Sequence, residues 1–352
     1  MKEDKSSSDY ISFGEILDLR DEIGKIQTAI ADFEIGKKLN VAIIAEPLGG
    51  KTTLIDEIGR LNVNRATKIT FTGIIHNKEE ISPPEDVKRV VLLDNCHFLY
   101  MRKPGGFDLF YEFLDIISSG DRIFITSWNL YSWNFLNEAF KLGKYFSVQI
   151  FVPAFLKENI ALLILNRYRE GEIIFSNNEE SKQEPFLYVM EHPIEFAPLG
   201  KKINIPILKV NISYIKKYLL KEEEGKESKE ETAEKRVFEK IYLESKGNPG
   251  IALRIWELGL DYPHMKLKNI GNLSYDIELG QDEAFVLELI LSYQGLKKDE
   301  IADIIGSTLR TDEILFRLLN QDILQDEDNY FRVRPEALRS VIAYLEKLRL
   351  VW

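Results

Sequence analysis

Between Val41 and Leu54 the chain reads V-A-I-I-A-E-P-L-G-G-K-T-T-L. The β-branched apolar run Val41, Ile43 and Ile44 predicts a buried parallel strand, and an amphipathic helix starts at Leu54. A buried strand that passes through two glycines straight into a helix leaves few folds open, because the strand's carboxyl end and the helix's amino end must meet at one loop. Gly49 and Gly50 carry no Cβ, so backbone N–H groups can curl around a phosphate there. Lys51 can reach the β- and γ-oxygens, the Thr52 hydroxyl can ligate Mg²⁺, and the helix amino end adds partial positive charge. The pattern G-x-x-x-x-G-K-[ST] is met at every position but the first, where Ala45 stands. The whole turn, Ala45, Glu46, Pro47, Leu48, Gly49, Gly50, Lys51, Thr52 and Thr53, is therefore a candidate binding loop for ATP or ADP.

Such a loop needs a carboxylate at the end of a neighbouring strand. Val90, Val91, Leu92 and Leu93 run without interruption into Asp94, which would hold the Mg²⁺ shell beside Thr52. Lys51, Asp94 and the next residue, Asn95, are the candidate catalytic set. Where hydrolysing ATPases place a glutamate or aspartate to polarise water, this chain has Asn95, whose amide accepts no proton at neutral pH. Hydrolysis is then expected to be slow, or another group such as His97 takes over; the plainer reading of His97 is a histidine packed beside a strand end.

At 352 residues and 45 % apolar content the chain is long enough for two or three domains with real cores. The opening M-K-E-D-K-S-S-S-D is polar and no run of eighteen apolar residues occurs, so no membrane insertion and no signal peptide are expected, and the expected location is the cytoplasm. One cysteine and four scattered histidines exclude a disulfide framework and any cysteine-rich metal site. A formal charge of −11 argues against broad, sequence-independent nucleic-acid binding.

Taken in order, residues 1–10 are expected to be disordered. Ile23, Ile26, Ile30 and Phe33 share one helical face ahead of the loop strand. Further strands are expected at Lys68–Thr72, Arg122–Thr126 and Tyr145–Phe151, with a loop at Ser82-Pro83-Pro84 and a helix at Phe107–Ser118. Alternation of this kind gives a parallel sheet with helices on both faces and a site at the carboxyl ends of the strands. Thr126, Ser127 and Asn129 end a strand beside that site, a position that resembles the one where AAA+ ATPases carry a polar residue sensing the γ-phosphate; the resemblance implies that role for one of the three, with Ser127 and Asn129 the first candidates. Trp128, Trp133 and Phe135 are expected to pack a helix edge. The dense charge run Lys221–Arg236 reads as a solvated helix or mobile loop.

Several motifs together resemble those of AAA+ and STAND ATPases. The segment F-x-x-x-L-D-L-R-D-E before the first helix is similar to the box that lies near adenine in those proteins, which makes Phe13 and Arg20 candidates for the base pocket. The strand, Pro153 and the helix ending at Arg167 and Tyr168 look like the passage from nucleotide core to lid. The turn G-N-P-G at 247–250 resembles the STAND GxP signature, and Arg254 falls where AAA+ proteins carry a second sensor. The resemblance implies that Pro249 packs against adenine and that Arg254 senses nucleotide; from the residues alone the turn is a helix entry and Arg254 is solvated.

From Asp282 onward three helices and a hairpin around Asp326–Asn329 describe a winged helix, with a last helix from Pro335. In a DNA reader Ser307, Thr308, Arg310, Thr311 and Arg317 would face the groove, with Arg332 and Arg334 on the wing. Nine basic residues against fourteen acidic ones from Asp282 to Trp352 oppose that use. The expected architecture is α/β: a P-loop NTPase core at 11–155, a helical lid at 156–275 with an insertion at about 171–239, and an α+β winged-helix domain at 280–352. The leading expectation is a slowly hydrolysing molecular switch with a protein partner or a homo-oligomer. An initiator-like DNA-binding ATPase and a scaffold with permanently bound nucleotide are the alternatives.

Overall fold

The computed structural model describes residues 19–81, 88–176, 187–196, 201–210, 232–271 and 273–352. Residues 1–10, Phe13, the Ser82-Pro83-Pro84 loop, most of the charge run and the side chain of Thr308 lie outside the described part. Five parallel strands form the central sheet in the order β2-β3-β4-β1-β5: β1 (Val41–Ala45), β2 (Ala66–Thr70), β3 (Val90–Asp94), β4 (Ile123–Asn129) and β5 (Val148–Phe151). The strand period of two sorts the side chains cleanly. Val41 and Ile43 join Ile26, Ile30 and Phe33 of helix α1 (Arg20–Glu34) and Leu54 and Ile58 of α2 (Lys51–Leu61) on one face. Ala42 and Ile44 face the opposite cluster with Val91, Leu93, Phe113 and Phe124. Each such fully buried aliphatic side chain stabilises the fold by about 1.5–3 kcal/mol, which is why the central strands β1 and β3 read as unbroken apolar runs.

Strand β4 extends three residues beyond the expected Thr126. Ser127 and Asn129 remain in register with Ile43 and Ala45 of β1, and both are buried. Polar residues tolerate that position because each hydroxyl or amide finds a partner, as described below. The expected strand from Tyr145 starts only at Val148, since Leu142–Tyr145 form a 3-10 turn, and the second strand begins at Ala66 rather than Lys68. Helices α3 (Asp108–Ser118) and α4 (Leu130–Phe140) complete the core. Trp128 and Trp133 are buried and pack edge-on, with Phe135 half-buried beside them.

Three helices follow: α5 (Lys157–Leu165), α6 (Ala233–Ser245) and α7 (Pro249–Gly259). A small sheet lies against them, in which β6 (Ile174–Ser176) pairs with β10 (His264–Lys266) and β10 pairs with β9 (Leu260–Asp261). Between β6 and α6 the strands β7 (Leu187–Phe196) and β8 (Lys201–Val210) pair antiparallel from Leu187↔Val210 to Phe196↔Lys201. The end of the charge run is helical: Thr232 caps α6 by accepting from the Lys235 N–H. The C-terminal region comprises α8 (Gln281–Tyr293), β11 (Leu296–Lys297), α9 (Lys298–Ile305), α10 (Thr308–Asn320), β12 (Leu324–Glu327), β13 (Tyr330–Val333) and α11 (Leu338–Lys347). Its three strands are antiparallel in the order β11-β13-β12, the arrangement of a winged helix. The last helix starts at Leu338, three residues after the Pro335 expected to open it. No helix among the described residues is long and apolar enough to cross a membrane.

One apolar cluster runs from the sheet through α4 into α8 and α11, so the C-terminal region is docked on the core. Polar contacts at the same seam fix the orientation. Asn129 Nδ2 donates to the Leu291 carbonyl and Ser132 Oγ to the Ser292 carbonyl, both at 2.7 Å. Arg102 pairs with the buried Glu288 at 2.5 Å and lies over the Phe135 ring, and Tyr100 packs on Tyr293.

Candidate nucleotide site

The phosphate loop leaves β1 at Ala45 and enters α2 at Lys51. Gly50 is in the left-handed region at φ +88, where a side chain would be strained. Leu48 occupies the same region at φ +61 without being glycine, a conformation that costs of order 1 kcal/mol. What holds it there is a contact from the 247–250 turn that opens α7. The Gly250 N–H donates to the Leu48 carbonyl at 3.2 Å, and Asn248 Nδ2 donates to the Pro47 carbonyl at 2.9 Å. A Cβ on Gly250 would lie 2.5 Å from Leu48 Cβ, so only glycine allows this approach. Asn248 also caps α7 by accepting from the Ile251 N–H, with Pro249 at the first helical position.

Lys51 is almost wholly buried, and its ammonium donates to the carbonyls of Ala45 (3.2 Å) and Glu46 (2.9 Å). Burial lowers its pKa to about 7, against the opposing pull of Asp94 and Glu46. A phosphate placed in the loop would favour the charged form. Asp94 is fully buried; its Oδ1 accepts from the Ser127 hydroxyl and the Asn95 N–H, and its Oδ2 has no hydrogen-bond partner. The orphaned oxygen and the exposed Thr52 side chain fit a Mg²⁺ ion whose remaining ligands come from phosphates and water. Among the described residues no cluster of three or more His, Cys, Asp or Glu is placed to hold a metal ion. Bound there, Mg²⁺ would neutralise β- and γ-phosphate charge.

Beside the loop lies a cavity of about 290 Å³ lined by Ile44, Ala45, Glu46, Gly49, Leu130, Phe151, Val152, Pro153, Ala154, Lys246, Gly247, Asn248, Pro249 and Arg339. The lining combines loop residues and the charged Glu46, Lys246 and Arg339 with the apolar Leu130, Phe151, Val152 and Pro153, a mixture suited to a base and its phosphates. Of the residues singled out from the sequence, Ala45, Glu46, Gly49 and Pro249 line it. Arg20 lines a separate groove along α1 with Leu39 and Val148. Arg254 does not line the cavity either; its guanidinium is held by Glu336 at 2.7 Å and lies 3.8 Å from Glu257.

Of the strand-end candidates only Ser127 meets the acidic centre, through Asp94. The Thr126 hydroxyl donates to the Val41 carbonyl and accepts from Trp128 Nε1, and the Asn129 side chain caps α4 and binds the Leu291 carbonyl. Asn95, at φ +63, turns its amide to the Phe71 carbonyl at the end of β2. His97 is buried with Nδ1 unpartnered, and burial pushes its pKa well down, so the ring is neutral.

Arg339, in the first turn of α11, was not legible as a site residue. Its Nη1 lies 3.1 and 3.3 Å from the two Glu46 carboxylate oxygens, while Nε and Nη2 donate to the Ser245 carbonyl. The loop is thus gripped by the 247–250 turn and by a side chain from the chain's last helix. Nothing in local sequence marks an arginine 293 residues away from Glu46 as its partner.

The sheet order, the phosphate loop after β1, Asp94 closing β3 and the winged-helix region make an α/β P-loop fold like that of AAA+ ATPases. No protein-family model matches the chain, and no curated protein matches its sequence. Among solved structures, the Thermotoga maritima RuvB Holliday junction branch migration motor aligns over 94 % of this chain and 97 % of its own at 15 % identity, with a TM-score of 0.44. Cdc6p from Pyrobaculum aerophilum aligns over 97 % of both chains at 13 % identity and a TM-score of 0.41. PCH-2 of C. elegans aligns over 74 % of this chain and 69 % of its own at 16 % identity and 0.38. The fold class rests on the chain's own topology.

Proposed function

We propose that this chain is a nucleotide-dependent switch of STAND-like design, in which ATP or ADP with Mg²⁺ at the phosphate loop governs how the lid and the winged-helix region sit on the core. One observation carries the reading: Pro47 and Leu48 are bonded to the 247–250 turn while Glu46 is paired with Arg339, so the loop cannot rearrange around a ligand without disturbing both. Lys51 would turn from the Ala45 and Glu46 carbonyls to the phosphates, and Thr52 with Asp94 would hold the cation. Ser127 would report phosphate occupancy through its bond to Asp94, and Pro249 would border the base.

Hydrolysis is slow in this reading. Asn95 offers no carboxylate and its amide is engaged by Phe71, while His97 is buried, made a weaker base by that burial, and absent from the cavity wall.

The recipient of the signal is a protein partner, or a second copy of the chain, rather than DNA. The arginines a DNA reader would use are neutralised within the winged-helix region: Arg310 pairs with Asp282, Arg317 with Glu283, Arg332 with Glu327 and Arg334 with Asp322. Thr311 is fully buried, and the Ser307 hydroxyl caps α10. Titrating fluorescent ADP and ATP analogues into wild type and Lys51→Ala, with single-turnover hydrolysis alongside, tests the reading. Binding that depends on Lys51 with negligible turnover supports it; absent binding, or rapid turnover, removes it.

A further inference from the structure

The two oxygens of Asp94 are in unlike surroundings. Oδ1 is satisfied by the Ser127 hydroxyl and the Asn95 N–H, whereas Oδ2 is buried and accepts no hydrogen bond. A buried carboxylate oxygen in that condition needs a cation nearby. Lys51 interacts with Asp94 electrostatically but forms no ion pair with it, because its ammonium is turned to the Ala45 and Glu46 carbonyls. The cation at Oδ2 is Lys68 Nζ, 3.8 Å away, from the middle of the edge strand β2. That ammonium is also bonded to the exposed Asp56 of α2, about one turn beyond Thr52. Lys68 therefore bridges the helix that carries Thr52 and the strand that ends in Asp94.

We propose that Lys68 is a built-in competitor for the divalent cation: its ammonium is the counter-ion of Asp94 in the nucleotide-free protein and shifts fully onto Asp56 when a metal takes Oδ2. The proposal rests on the assignment of Thr52 and Asp94 as the metal ligands. The pair at 3.8 Å is too long to be a hydrogen bond, so charge alone holds it, and a dication arriving at Oδ2 meets direct repulsion from an ammonium a few ångströms away. Asp56 supplies the place to which Lys68 can retreat, since it already shares the ammonium. The consequence is a loop that binds free metal poorly and takes its cation together with the phosphates, whose negative charge outweighs the lysine.

Mn²⁺ binding to the full chain without nucleotide, followed by electron paramagnetic resonance, tests this directly. Lys68→Met should bind Mn²⁺ at least about tenfold more tightly than wild type, Lys68→Arg should match wild type, and the gain should vanish in Lys68→Met/Asp94→Asn. Lys68→Gln is the substitute if Lys68→Met does not fold. An affinity within about threefold of wild type, or a gain that survives Asp94→Asn, overturns the proposal. Because no nucleotide is present, this outcome is separate from the titrations with Lys51→Ala: lost nucleotide binding removes the switch, and unchanged Mn²⁺ affinity removes the competitor.

Discussion

Replacing Arg339 with alanine should loosen the C-terminal helix from the phosphate loop while leaving the sheet intact. The side chain is only 16 % exposed and makes two kinds of contact. The guanidinium fork on the Ser245 carbonyl, at 3.1 and 3.0 Å, is a charged hydrogen bond to one acceptor and contributes about 1.5 kcal/mol. The pair with Glu46, whose carboxylate is 31 % exposed, is partly screened and adds about 0.5–1 kcal/mol. The total of about 2–2.5 kcal/mol is a factor of about 30 to 70 in a local opening equilibrium. Native-state hydrogen exchange reads that factor. Amides of α11 and of the 245–250 turn should exchange about 30 to 70 times faster in nucleotide-free Arg339→Ala, with β1, β3 and β4 unchanged. Arg339→Lys keeps a charge for Glu46 but loses the fork, and should fall between the two. Acceleration below about threefold, or acceleration spread evenly over the sheet, would refute the claim that Arg339 ties this helix to the loop.

Gly250→Ala places a methyl group 2.5 Å from Leu48 Cβ; it should push the lid turn off the loop, lower stability by about 1–3 kcal/mol in denaturant unfolding, and weaken nucleotide binding. Nucleotide binding should take up a proton, because Lys51 has a pKa near 7 in the free protein and an adjacent phosphate raises it. Below pH 7 this linkage is silent; above it the association constant falls by up to about tenfold per pH unit, and calorimetry at pH 8 in two buffers should find uptake of about 0.9 proton. Glu288→Ala strands the largely buried Arg102 at the seam between core and winged helix, at a cost of about 3 kcal/mol in urea unfolding; a loss under 1 kcal/mol would mean that the seam is wet.

Local sequence carried the core well and the closure poorly. The strand, glycine pair and lysine at 41–51 and the apolar run ending in Asp94 are each a signal within one stretch of chain, and the sheet places both at the carboxyl ends of β1 and β3, the two strands that flank β4. The G-N-P-G turn was legible as a helix entry, and the close approach of Gly250 to Leu48 shows why the glycine is needed. Arg20 and Arg254 stood on family resemblance, and neither lines the cavity; Arg254 is taken by Glu336, a residue whose proximity only the tertiary fold creates. Asn129 was a sensor candidate on the resemblance to AAA+ ATPases, and its side chain caps α4 and bonds to α8. Arg339 was invisible for the converse reason: nothing around it differs from an ordinary amphipathic helix, and its role comes from docking across the whole length of the chain. The recognition-helix arginines looked available until the acidic first turn of α8 was found beside them.

Hydrogen exchange of α8 and α11 with and without ATP and Mg²⁺, in wild type and in Lys51→Ala, tests most directly whether nucleotide at the loop governs the C-terminal region. The switch predicts that nucleotide changes protection of both helices by at least about tenfold in wild type and leaves Lys51→Ala unaffected. Nucleotide that binds through Lys51 while both helices keep the same protection would contradict it, and the loop would then be a fixed nucleotide holder.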